Sequence, residues 1–360
     1  MKIAGRPCRT IWTRPDESVE VIDQTRLPHE FTTLVLRTPE DCADAIRRMV
    51  VRGAPLIGAT AAYGVAFAMK REPSSAALIR ALDLLQATRP TAVNLRWALK
   101  RMHDALHNRG HGDRFQIAWA EAAAICEEDV EICRMIGVHG LALLRDLHAR
   151  KQRTLNVLTH CNAGWLACVD WGTATSPIYQ AHDAGIPLHV WVDETRPRNQ
   201  GASLTAFELG AHGVAHTIVA DNAGGHLMQA GRVDVCIVGV DRVTRNGDFA
   251  NKIGTYLKAL AAVDNGVPFY GAVPSPSIDW TLKDGSTIPI EERSADEILK
   301  MTGRLAGGGV ATVEIAAPGS PAANPGFDVT PARLATGFIT ERGVCPASEA
   351  GLLGLFPERK

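Results

Sequence analysis

Apolar residues change their spacing part-way along this chain. Over residues 41–50, 55–70, 74–87, 91–107 and 115–149 they recur every three or four positions, the period of one helix face, and this predicts helices. Before them, SVEVIDQT (18–25) reads as a short β-ribbon. From Leu155 onward the apolar residues gather into short β-rich runs, LNVLTHC, PLHVWVD, HTIVAD, VDVCIVGVD and VPFYGAV, separated by helical patterns. Continuous apolar strands alternating with helices predict a parallel sheet covered on both faces. The fold class expected is therefore α/β. A small, mostly helical N-terminal domain with its β-ribbon spans 1–150, and a parallel-sheet domain spans 151–360, with the boundary at KQRT. A length of 360 residues exceeds the roughly 250–300 at which single cores stop growing, which agrees with two domains. AGGGV (306–310) and PGSPAANPG (318–326) read as loops, and no internal repeat is visible.

Charge changes this picture only by exclusion. With 38 Lys and Arg against 39 Asp and Glu, the net charge of −1 gives no reason to expect a nucleic-acid or anionic-membrane partner. No apolar run approaches the ~18 residues of a membrane span, and MKIAGRPCRTIW lacks the apolar core of a secretion signal, so a soluble, cytoplasmic protein is expected. The eight cysteines are scattered without a Cys-x-x-Cys pair and read as reduced thiols, neither disulfides nor a zinc site. Glu127, Glu128 and Asp129 read as the solvated face of the last N-terminal helix.

Candidate chemistry lies where the strands end, because open parallel sheets bind ligands beyond their carboxyl edge. Those exits read HCNAG, DETRPRNQG, DNAGG, GVDRVTRNGD and PSPSIDW, and together they predict one polar site. Cys161 follows its strand at a point where nearby amides or a helix N-terminus would stabilise negative charge, although a buried cysteine is as often a small hydrophobe. Strand alternation turns His160 away from it, against a Cys–His pair. Asp241 ends a run too apolar to carry a charge idly. A desolvated carboxyl there would keep its proton and serve as a general acid, the plainer reading being a helix cap or a salt bridge to Arg242. Asn251 and Lys252 fall near the predicted start of the next helix, where a lysine opposes the dipole unless a phosphate or sugar lies nearby. Arg52-Gly53-Ala54-Pro55 offers arginine and open first-turn amides as an anion cradle, or merely a helix corner, and Arg89 before Pro90 repeats the arrangement. No Walker loop, nucleophile elbow or Gly-x-Gly-x-x-Gly is present, so no cofactor and no metal is expected. The residues alone describe a cofactor-free enzyme doing acid-base chemistry on a small phosphorylated molecule.

Taken together, RGAPLIGATAAYG, TRPTAVNL, LTHCNAG, ETRPRNQGASLTAFEL and VGVDRVTRNGDFANKIGTY, in this order, resemble the methylthioribose-1-phosphate isomerase family, which is akin to the regulatory α, β and δ subunits of the guanine-nucleotide exchange factor of eukaryotic translation initiation. The resemblance runs from IDQTRLPHEF to DVTPARLATGFITERGV, nearly the whole chain. It implies a homodimer with a Rossmann-like C-terminal domain, and an isomerase turning 5-methylthioribose 1-phosphate into 5-methylthioribulose 1-phosphate in methionine salvage. By motif it implies Cys161 and Asp241 as the catalytic pair and Arg52, Gly53, Ala54, Arg89, Gln200, Asn251 and Lys252 as substrate ligands. Asp241 would protonate the ring oxygen. Hydrogen would then move from C2 to C1 as a proton, with Cys161 as base, or as a hydride, with Cys161 stabilising the transition state. Asn222-Ala223-Gly224-Gly225-His226 and Trp280 depart from the pattern, either as drift outside the pocket or as in a branch of which some members act on 5-deoxyribose 1-phosphate, and one enzyme could take both substrates, since a single sulfur-methyl group is worth only ~1–3 kcal/mol in an apolar pocket. Two further activities stay compatible with these motifs: a ribose-1,5-bisphosphate isomerase, which needs cations that the loops do not obviously supply, and a non-catalytic regulatory subunit.

Overall fold

The computed structural model describes every residue of the chain except Ala4 and Pro90. A ribbon of β1 (Lys2–Ile3) and β2 (Arg6–Pro7) precedes an antiparallel sheet of β3 (Ile11–Thr13), β4 (Val19–Ile22) and β5 (Thr33–Leu36), in which SVEVIDQT supplies the middle strand. Helices α1 (Pro39–Arg47), α2 (Ala54–Arg71), α3 (Ser75–Gln86), α4 (Val93–Leu106) and α5 (Arg114–Lys151) follow, as the spacing predicts. Local chemistry sets their starts. Thr38 and Asp41 form a reciprocal capping box at α1, and the Ser74 hydroxyl accepts the Ala77 N–H at α3. Helix α2 is apolar on all sides and accordingly lies buried among α1, α3, α4 and α5. The 38-residue α5 packs on α2 and α4 and also on α6 (Ser176–Asp183), so one helix joins the helical layer to the sheet. Asp129 is not on its solvated face. It is buried and accepts the Val169 N–H at 2.7 Å.

Beyond α5 come β6 (Leu155–Thr159), β7 (Leu188–Asp193), helix α7 (Ala206–His212), β8 (His216–Val219), helix α8 (Ala223–Gln229) and β9 (Val235–Gly239). Then follow β10 (Arg242–Thr244), β11 (Phe249–Lys252), helix α9 (Thr255–Asp264), β12 (Phe269–Ala272) and β13 (Ile278–Asp279). The chain ends through β14 (Lys300–Arg304), β15 (Val310–Glu314), β16 (Phe327–Thr330), β17 (Gly337–Thr340) and β18 (Gly343–Cys345). The main sheet has the order β18-β17-β12-β9-β6-β7-β8 and is parallel except for β18. The chain thus builds outward from β6 to one edge, returns to β9, and builds to the other edge. Alternate residues feed two cores, Val157, Val190 and Ile237 on one face, Leu158, Trp191 and Val238 on the other. A second sheet, β13-β10-β11-β16, begins with β10 just beyond the carboxyl end of β9. AGGGV closes the β14–β15 hairpin, so that stretch is a turn between paired strands. Among the described residues no helix is long and apolar enough to cross a membrane, and all eight cysteines are free thiols.

Candidate active site

The sheet order reverses between β6 and β9, the point where open parallel sheets leave a crevice at their carboxyl ends. Cys161 stands two residues beyond β6 and Asp241 two residues beyond β9. A cavity at this point is walled by both, and by Arg52, Gly53, Ala54, Arg89, Gln200, Asn251 and Lys252. All nine residues singled out in the sequence therefore meet in one place; Pro90, beside Arg89, lies outside the described residues.

Gly53 explains how the helical layer reaches this cavity. It precedes α2 with φ +91°, and a Cβ on it would sit 2.4 Å from the Ala167 backbone. Only glycine permits that approach, which brings the first turn of α2 to the loop after β6. No side chain caps that turn, so its amides are open toward the cavity. Arg52 is pinned by two hydrogen bonds to Asn162, one to the side-chain oxygen and one to the carbonyl at 2.9 Å.

Cys161 is held in the left-handed region at φ +66°, a conformation costing of order 1–3 kcal/mol that its surroundings must over-determine. Its N–H donates to Thr195 Oγ1 at 2.8 Å. Thr195 is itself left-handed at φ +65° and donates its own N–H to Asp221 at 2.7 Å. From the other side, buried Glu208 accepts from Asn162 Nδ2 (3.0 Å), Leu166 N (2.8 Å), Trp165 N (3.1 Å) and Tyr179 Oη (3.0 Å). Of the two supports expected for Cys161, a nearby amide is present, the Asn162 backbone N–H pulling the thiol down, and a helix N-terminus is not. Trp165–Ala167 is a single 3-10 turn, and the Trp165 and Leu166 amides are spent on Glu208. Burial raises the Cys161 thiol above its ordinary range, with Arg52 and Lys252 pulling it down. The sulfur is thus a thiol at rest, not a stabilised thiolate.

Burial likewise holds the Asp241 carboxyl above the ordinary carboxylate range, against the pull of Lys252, Arg52 and Arg89. It is not spent on Arg242, whose guanidinium donates to Thr91 O at 2.6 Å and lies 3.7 Å from Asp279. Asn251 and Lys252 are not at a helix start: they belong to β11, and α9 begins at Thr255. Asn251 Nδ2 donates to Thr255 Oγ1 at 2.9 Å, while Lys252 Nζ donates to Gly326 O at 2.8 Å and lies 4.4 Å over the Phe327 ring. Burial lowers the Lys252 pKa, opposed by Cys161 and Asp241. Gln200 Oε1 and Arg89 Nε are buried without a hydrogen-bond partner, the condition expected of groups that await a ligand.

Sequence reasoning missed Glu291, Arg293 and Glu297, which join Arg89 to Arg198 in a chain of alternating charge at the cavity's outer rim, with links of 2.8, 2.8, 2.6 and 3.1 Å. It ties the helical layer to the excursion between β13 and β16 and to the loop after β7. The departures singled out in the sequence lie elsewhere. None of Asn222 to His226 lines the cavity, and Trp280 packs on Phe356.

Residues 50–347 match the model of the initiation factor 2 subunit family. The chain belongs to that family. Within it, the chain is 64% identical to a methylthioribose-1-phosphate isomerase of Methylorubrum extorquens over all of this chain and 99% of that protein, and 62% identical to one of Rhodospirillum rubrum, with 100% and 94% covered. A solved 5-methylthioribose 1-phosphate isomerase from Pyrococcus horikoshii OT3 superposes with a TM-score of 0.85 at 41% identity, covering 98% of this chain and 97% of that one. The translation initiation factor eIF-2B subunit delta from A. fulgidus gives 0.79 at 36% identity, covering 98% and 100%.

Proposed function

We propose that this chain is an aldose–ketose isomerase that converts 5-methylthioribose 1-phosphate into 5-methylthioribulose 1-phosphate, a step of methionine salvage. The observation that carries the reading is the meeting of Cys161 and Asp241 across the sheet's reversal point, in a cavity that also holds Arg52, Arg89, Lys252 and the open first turn of α2. The cations and amides grip the phosphate, with Gly53 and Ala54 supplying backbone. Gln200 and Asn251 receive sugar hydroxyls. Met49, Ile57, Ile288 and Pro289 give the same cavity an apolar wall for the methylthio group and against water.

Phosphate on the anomeric oxygen prevents ring opening by hemiacetal reversal. Asp241, kept protonated by burial, gives its proton to the ring oxygen, and the C1–ring oxygen bond breaks. Hydrogen then passes from C2 to C1 as a hydride while the C2 hydroxyl gives its proton to the carboxylate that Asp241 has become, which restores the acid and leaves C2 as the ketone. Because burial holds Cys161 as a thiol, the hydride route suits it better than proton abstraction, the sulfhydryl stabilising charge on the C2 oxygen.

For a second phosphate, as in ribose 1,5-bisphosphate, the rim offers three arginines, Arg89, Arg293 and Arg198, shared between two glutamates, Glu291 and Glu297, an excess of one positive charge beside Arg52 and Lys252, and the competition below separates the two substrates. The 5-deoxyribose reading loses its support with Asn222–His226 and Trp280 outside the cavity walls. A regulatory subunit would have no use for a buried acid and thiol gathered in one cavity with Arg52, Arg89 and Lys252. We also read 1–150 and 151–360 as the two domains, α5 crossing their boundary. The homodimer is supported by an open edge at β8, where Ile218 is exposed, and by exposed Leu257 and Val263 on α9. The free thiols suit the reducing cytoplasm.

The test offers the purified protein 5-methylthioribose 1-phosphate, 5-deoxyribose 1-phosphate and ribose 1,5-bisphosphate in competition, following each ketose by phosphorus and carbon NMR. Preferential formation of the methylthio ketose is expected; turnover of none of the three would favour the regulatory subunit.

A further inference from the structure

His160 lies between the segments that carry Cys161 and Lys252, and the mechanism above does not use it. Its ring is buried and each nitrogen faces an oxygen: Nδ1 is 2.8 Å from Asp193 Oδ2, and Nε2 is 2.8 Å from the carbonyl of Ile253. A backbone carbonyl only accepts. Asp193 Oδ2 is also 3.1 Å from the Lys258 ammonium, which needs an ionised acceptor there, so this oxygen only accepts as well. A neutral imidazole carries one N–H and would set its bare nitrogen against an oxygen lone pair inside a buried site. We infer that His160 is a doubly protonated imidazolium and a positioning residue, tying the Cys161 segment beyond β6 to the Lys252–Ile253 segment at the end of β11.

The surrounding charge agrees. Asp193 faces the ring from β7, Asp221 from the loop after β8 at 4.0 Å from Nδ1, Lys258 from α9, and Asp328 from β16. Lys258 alone would oppose three carboxylates, one of which, Asp193, has its second oxygen buried and unpartnered. A cationic ring brings the balance to two against three, and it draws the Asp193 and Ile253 oxygens together from opposite sides. The same framework sets the backbone at both ends. The Asp193 carbonyl accepts the Thr195 hydroxyl at 3.0 Å, the hydroxyl that receives the Cys161 N–H. At the other end Gly254, at φ +102°, has no Cβ to press on the ring, where one would come within 3.0 Å of Cε1.

Only the kinetic arm of the test rests on the isomerase reading. In the first arm, protein labelled with 15N-histidine is examined by long-range proton–nitrogen correlation at about pH 8, where an ordinary histidine is neutral. The His160 resonance is assigned by its loss in His160→Gln, or through backbone connectivities should that variant not fold. Both ring nitrogens of His160 are expected in the protonated range; one unprotonated ring nitrogen overturns the inference, whatever the substrate. In the second arm, His160→Gln should lower kcat for 5-methylthioribose 1-phosphate about tenfold or more, beyond any rise in KM, because the two reacting segments lose their register. A folded variant with kcat within about twofold of the parent refutes the positioning role.

Discussion

At the scale of single residues, Asp241 and Cys161 owe their chemistry to burial. In the proposed mechanism Asp241 acts protonated, and burial raises its pKa, so that form persists above the usual carboxylate range and is lost as pH rises through the shifted value. We expect kcat/KM to fall on that alkaline limb, and Asp241→Asn to remove the limb along with most of the rate; a pH–rate profile of both proteins checks this. Cys161 is a resting thiol, so hydrogen should travel within the substrate. Turnover in deuterium oxide, with the ketose examined by NMR, is predicted to leave C1 free of solvent deuterium. Substantial incorporation would instead make Cys161 a base. Both residues are legible in the sequence because each is a reactive side chain directly after an apolar strand. Asp129 is misread there although the signal is present: Ala122, Cys126, Asp129 and Cys133 form one buried stripe at helical spacing. Glu208 escapes notice because a carboxylate at the start of a helix ordinarily needs no explanation.

Among the elements, α2 and β11 do most to shape the cavity. Gly53→Ala would press a Cβ into Ala167 and force a left-handed alanine, costs of about 1–3 kcal/mol for overpacking and ~1–2 kcal/mol for the backbone. The expected result is a loss of stability by chemical denaturation together with a weaker grip on phosphate, seen as a raised KM. An unchanged KM would mean that the first turn of α2 does not touch the substrate. Strand β11 is invisible in the sequence because its four residues merge into the helical pattern of α9, so the pattern puts Lys252 on the wrong element, although the residue does line the cavity. Glu291, Arg293 and Glu297 are illegible for another reason. They come from a polar excursion between β13 and β16 whose only link to the site is through space.

Over the whole molecule, the helical first half can be read from its period, and the parallel sheet from the five apolar runs that hold β6, β7, β8, β9 and β12. The strand β17 and the sheet β13-β10-β11-β16 are built from two- to four-residue pieces set among polar and turn residues, without such a run to mark them. Stability should also depend on pH through Asp129, which burial pushes up to about 7. A carboxyl raised in the folded state favours folding at low pH, and that contribution is lost as pH rises from its unfolded value near 4 toward about 7. Asp129→Asn should therefore gain on the parent protein between about pH 5 and pH 8, on the order of a few kcal/mol, as read from urea midpoints. Parallel curves would show the carboxyl to be relieved in some other way. The central claim, that Cys161 and Asp241 at the reversal of the sheet isomerise a sugar phosphate, is tested most directly by one side-by-side assay. Purified parent, Cys161→Ser and Asp241→Asn proteins are given 5-methylthioribose 1-phosphate, with thermal unfolding recorded for each. Ketose is expected from the parent, with a loss of roughly 10²–10⁴-fold or more in each variant and unchanged cooperative unfolding; a folded variant turning over at near the parent rate would remove that residue from the chemistry.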